Sequence, residues 1–103
     1  MTSMFIKIEG DTVKNRIWSF LIVHSEYDYS MKDIARFSDT SYSALKIIWK
    51  YFISRKIVVH TRDVGNSKMY KLNRDNTQVE KFIDYYWSVV DSAIEKQKIA
   101  LPA

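Results

Sequence analysis

The period of the hydrophobic positions changes several times along the chain, and each change marks an element. Met4, Ile6 and Ile8 alternate with Phe5, Lys7 and Glu9, so residues 1–11 are expected to form an N-terminal arm or a short strand. From Val13 the spacing becomes three and four. Val13, Ile17, Phe20, Leu21 and His24 share one face of a first helix near Thr12 to Ser25, with Asp11 or Thr12 as its cap. The polar stretch Ser25-Glu26-Tyr27-Asp28-Tyr29 ends it, and Ser30 with Asp33 three residues on resembles a capping box that opens a short helix, Met31 to Phe37. Ser38-Asp39-Thr40 then breaks the pattern, because all three side chains bond readily to nearby backbone and Asp tolerates the left-handed turn. Ser41 caps a third helix running from Tyr42 to about Arg55. Its apolar stripe is Leu45, Ile48, Trp49 and Phe52, and Ser43, Lys46, Ile47 and Lys50 face the other way.

Next comes the β-branched run Ile57-Val58-Val59-His60-Thr61, the turn chemistry of Asp63-Val64-Gly65-Asn66, and the alternating Lys68-Met69-Tyr70-Lys71-Leu72. Together these predict a β-hairpin. A long helix from Gln78 to about Lys98 closes the pattern, giving a mainly α fold with a small β-hairpin (α+β). The last helix carries an apolar stripe too wide for so small a core. The spacing 79, 83, 86, 90, 93, 97 is heptad-like, so a homodimer interface is expected at Val79, Phe82, Ile83, Tyr86, Trp87, Val90, Ala93 and Ile94.

Composition narrows the chemistry. The 103 residues suit one core, two glycines and one proline argue against an all-β fold, and zero cysteines exclude disulfides and thiol chemistry. Apolar runs such as Phe20 to Val23 fall far short of a membrane span, which with the absence of a secretion signal gives the expectation of a cytoplasmic protein without membrane contact. His24 and His60 are expected to be structural, and Asp75, Glu80, Asp84 and Asp91 to lie on a solvated helix face. With no Gly-rich phosphate loop, serine elbow or metal signature, no catalytic residue, metal or cofactor is expected, and the protein is read as a non-enzyme.

Charge is informative once located. Residues 1–45 carry net −1, residues 46–74 net +7 and residues 75–103 net −2. The central block, Lys46, Lys50, Arg55, Lys56, Arg62, Lys68, Lys71 and Arg74, is opposed only by Asp63, which is the footprint of a surface for a polyanion such as nucleic acid.

The stretch Asp33-Ile34-Ala35-Arg36 through Ser41-Tyr42-Ser43-Ala44-Leu45-Lys46, with Arg55-Lys56-Ile57-Val58 and Val64 to Asn73, resembles small archaeal and bacterial regulators of the MarR, ArsR and PadR kind. The resemblance implies a winged helix-turn-helix over residues 12–74, a C-terminal dimerisation helix over 75–99 and a tail over 100–103. It further implies that Ser41, Tyr42, Ser43, Ala44, Lys46, Ile47 and Lys50 form the major-groove face, with Arg62, Asn66 and Lys68 as the wing and its flank. Three positions depart from the family pattern. Asp39 stands at the turn glycine, and Lys56 stands where a small residue often ends the recognition helix. Ile47 replaces a usually polar or basic residue, and fits either a thymine methyl or a protein-binding face. Trp18, Trp49, Trp87, Tyr85 and Tyr86 are read as core and dimer seam in preference to an effector pocket.

The implied function is sequence-specific double-stranded DNA binding by a homodimeric transcriptional regulator acting as a repressor. The alternatives are a plasmid or viral DNA partition or coating protein, and a protein-interaction module that binds another polypeptide through Tyr42, Ile47 and the last helix.

Overall fold

The computed structural model describes residues 3–100, with the backbone only for 97–100; the expected tail beyond Ala100 lies outside the described residues. The first element corrects the expectation of an arm or strand: Met4–Glu9 is a helix, α1. The Ser3 hydroxyl caps it by accepting from the Ile6 amide at 3.2 Å, and Gly10, at φ 117°, closes it by donating to the Ile6 carbonyl. Phe5 and Ile6 are adjacent and both buried, which a half-buried strand forbids and a helix permits. The Phe5 ring reaches Tyr86 at 4.7 Å and Phe82 at 6.0 Å between centroids, so packing against a distant helix selects the conformation.

Helix α2, Val13–Val23, starts at Thr12, whose hydroxyl accepts from the Asn15 amide. A two-residue strand, β1 (Tyr29–Ser30), precedes α3 (Met31–Phe37) and α4 (Tyr42–Ser54). Strands β2 (Val58–Val64) and β3 (Ser67–Leu72) form the hairpin, and α5 runs over Thr77–Ala100. The sheet is antiparallel in the order β1-β3-β2, with Tyr29 opposite Tyr70 and Ser30 opposite Met69. The polar stretch before Ser30 was expected only to end a helix; two residues are too few for a period to show, and β3 supplies the pairing.

The core gathers Ile17, Trp18, Leu21, Ile34, Leu45, Trp49, Phe52, Ile57, Leu72, Val79 and Tyr86 from every helix except α1, and Phe5 joins from that one. Trp18 stacks on Phe82 with centroids 3.9 Å apart. Beside it, the Ser19 hydroxyl bonds the Tyr86 hydroxyl at 2.9 Å and Ser3 Oγ at 3.2 Å, so α1, α2 and α5 share one polar network.

This packing corrects part of the expected dimer surface. Val79, Tyr86 and Ala93 are buried within the chain itself, and Phe82 is stacked on Trp18. Because α1 lies along α5 and α2 meets it through Trp18 and Ser19, one flank of the wide stripe belongs to the intramolecular core. Ile83 and Val90 stay half-buried, while Trp87 and Ile94 are 43% and 42% exposed. No described helix is long and apolar enough to cross a membrane.

Candidate nucleic-acid interface

Helices α3 and α4 are joined by a turn that several residues hold. Ser30 caps α3 by accepting from the Asp33 amide at 3.2 Å, and Ser41 caps α4 by accepting from the Ala44 amide at 3.0 Å. Between them Asp39 takes the left-handed conformation, φ 59°, as its place in the turn predicts. Arg16 of α2 fixes that turn from outside. It donates to the Asp39 carbonyl at 2.5 Å while its guanidinium grips Asp11 at 2.6 and 2.9 Å, and the grip holds the Asp11 carboxyl below its ordinary range.

At its far end α4 stops at Lys56, φ 56°, the second left-handed position. The Ile57 amide donates back to the Phe52 carbonyl at 2.9 Å. Asn73 and Asn76, from the segment leading into α5, donate their side-chain amides to the Lys56 carbonyl at 2.9 and 3.0 Å. These asparagines stand for a small residue's freedom: the strain at Lys56 is held by bonds from outside the helix.

With Leu45, Trp49 and Phe52 buried, the opposite side of α4 is turned to solvent. Ser43, Ile47 and Lys50 lie within about 60° of one another on it, at 3.6 residues per turn. Ser41, Tyr42, Ser43, Lys46, Ile47 and Lys50 are exposed and Ala44 is half-buried. The Tyr42 ring has Lys46 Nζ 5.2 Å and Lys32 Nζ 5.8 Å from its centroid. Lys32 escaped the sequence reading, because it lies outside the basic block and only the packing of α3 against α4 brings it in. A cleft between these helix starts and the hairpin is lined by Lys32, Tyr42, Asn66, Lys68 and Tyr70.

The hairpin tip turns at Gly65, φ 60°, where a positive φ at the first central residue alone matches a type II′ turn. Lower down, the register slips between His60 and Arg62, so Thr61 is the extra residue of a β-bulge. The bulge brings Thr61 and Arg62 to the same partner: Asp28 accepts from Thr61 Oγ1 at 2.5 Å and from the Arg62 guanidinium at 3.0 and 3.1 Å. These bonds lower the Asp28 carboxyl to about 2. Arg62, expected in the wing, is paired with Asp28, as is Arg74 with Glu80 at 2.6 Å. Lys46, Lys50 and Lys68 form no ion pair among the described residues. His60 also has a partner that spacing did not reveal, Asp63 at 2.7 Å across the same bulge.

Two antiparallel strands and a short third one, set against a helix-turn-helix, have clear relatives among solved structures. The transcription regulator MepR of the Staphylococcus aureus multidrug efflux pump MepA matches with TM-score 0.65 at 14% identity, over 84% of this chain and 62% of that one. The chain has the winged-helix fold. A MepR mutant bound to an oligodeoxyribonucleotide aligns with this winged helix at TM-score 0.66 and 14% identity, over 96% of this chain and 71% of that one. The adhesin competence repressor AdcR of Streptococcus pyogenes matches at 0.62 and 15%, over 97% and 77%. The winged helix described here therefore spans less than two thirds of the first of these proteins. No protein-family model matches the sequence, and no curated protein does so either.

Proposed function

We propose that the chain binds double-stranded DNA as a homodimer and regulates transcription, repressing by occupancy. Helix α4 enters the major groove and the hairpin follows the adjacent backbone. The observation that carries this reading is the outward face of α4: Ser43, Lys46, Ile47 and Lys50 stand together without an acid, and the face continues past Tyr42 and Lys32 into the cleft beside Lys68. Ser41, Ala44 and Asn66 border it. The fold supports the reading, since solved proteins of the same architecture are described as transcription regulators and one is bound to an oligodeoxyribonucleotide.

Dimerisation through α5 rests on the flank that the core covers only in part, where Ile83 and Val90 are half-buried and Trp87 and Ile94 exposed. Ile83, Trp87, Val90 and Ile94 repeat at four, three and four residues, the spacing of a two-helix seam. The seam is thus turned toward Trp87 and away from Val79, Tyr86 and Ala93.

Fluorescence anisotropy on a labelled duplex, titrated from about 50 to 200 mM salt, tests the reading. Wild type should show a steep loss of affinity with salt. Lys46→Ala/Lys50→Ala should shallow the log–log slope by about two units, one for each lost phosphate contact. An unchanged slope would remove α4 from the interface, and no binding at low salt would turn attention to a polypeptide partner.

A further inference from the structure

Among the described large apolar side chains on the surface, Ile47 is the most exposed, at 80%. Single exposed aliphatics are ordinary, so its position matters more than its exposure. Ile47 lies four residues after Ser43 and three before Lys50, on the ridge opposite the buried Leu45 and Phe52. Its neighbours on that ridge are a hydroxyl and an ammonium, and the nearest acids in sequence are Asp39 and Asp63. The side chain is rigid at χ1 and carries no polar atom, so it can offer a base edge nothing but an apolar contact.

In the major groove only one base edge presents an apolar group: thymine, through its C5 methyl. We infer that Ile47 is a specificity-determining residue, packing on the C5 methyl of one thymine in each operator half-site. This rests on the DNA-binding reading above and deepens it. Ser43 and Lys50 span seven residues, about 10.5 Å of helix axis at 1.5 Å per residue, or about three base-pair steps at 3.4 Å. Ile47 therefore addresses a base pair inside that span. Ser43 accepts either kind of base edge, and Lys50 suits a guanine or a phosphate. A protein-binding role for Ile47 would call for further exposed aliphatic residues on the same ridge; the ridge offers Ser43, Lys50 and Ser54 instead, and the half-buried Tyr51 beside them has its ring covered by Lys14 and Arg55.

The test starts from duplexes selected by the full chain out of a random library. In the selected duplex each thymine is replaced singly by uracil, which lacks only the C5 methyl. For wild type, one replacement per half-site should weaken binding by about three- to tenfold, the scale of one buried methyl-sized group. Ile47→Ala should bind the thymine and uracil duplexes alike, with the salt dependence of wild type retained and circular dichroism unchanged, as suits an exposed site. Indifference of wild type to every replacement, or a thymine preference that persists in Ile47→Ala, would overturn the inference and leave DNA binding standing. Absence of salt-dependent binding to any duplex would overturn both.

Discussion

Asp28 joins elements that are far apart in sequence through a single carboxylate. Its bonds from Thr61 and Arg62 tie the loop before β1 to the bulge of β2, and its carboxyl is held at about 2. An unfolded aspartate titrates near 3.9. A depressed native value means that the contribution is present above about pH 4 and lost as pH falls toward 2. Asp28→Asn should therefore unfold at a lower temperature than wild type at pH 6, with the gap narrowing by pH 2. Thermal melts followed by circular dichroism at the two values measure it, and a gap independent of pH would contradict the assignment. At the same scale, the left-handed positions were partly legible: Asp39 and Lys56 stand where the winged-helix pattern places small residues, and both have positive φ. Their supports were not legible, because Arg16, Asn73 and Asn76 are named by no local pattern.

Helix α5 carries one stripe that faces both the core and the solvent. Periodicity identifies a helix with more apolar surface than a small core needs, and it does not say which flank the chain keeps for itself. The structure divides the stripe: Val79, Tyr86 and Ala93 go inward, and Ile83, Trp87, Val90 and Ile94 form the outer ridge. Two sets of variants should separate accordingly. Trp87→Ala/Ile94→Ala should halve the mass seen by sedimentation equilibrium while keeping helix content. Val79→Ala, which opens a cavity in the core, should cost about 1–3 kcal/mol in urea unfolding. A double variant that stays dimeric would exclude this ridge as the seam. Helix α1 teaches the same lesson from the other direction. Its alternating Met4, Ile6 and Ile8 read as a strand, yet Phe5 on the opposite parity is the residue that packs on α5.

Across the whole molecule, charge along the sequence and charge on the surface are different quantities. The 46–74 block holds eight bases, but Arg62 and Arg74 are paired with Asp28 and Glu80, while Lys32 joins the face from outside the block. If Arg62 lies near enough to duplex DNA, Asp28→Asn frees a cation. The salt slope in the anisotropy titration should then steepen by about one unit, and an unchanged slope would place the base of the hairpin off the DNA. The sequence by itself determined the order of α2, α3, α4, the hairpin and α5, the caps at Ser30 and Ser41, the turn at Gly65 and the polarity of α4, because each follows from interactions within a few residues or from a helical period. Only the tertiary structure decided that residues 4–9 are helical, that Tyr29–Ser30 joins the sheet, that Arg62 is paired, and which flank of α5 is free. Each of these depends on contact between residues at least 33 positions apart, as between Thr61 and Asp28, or on competition between two surfaces for one side chain, and neither leaves a local signature.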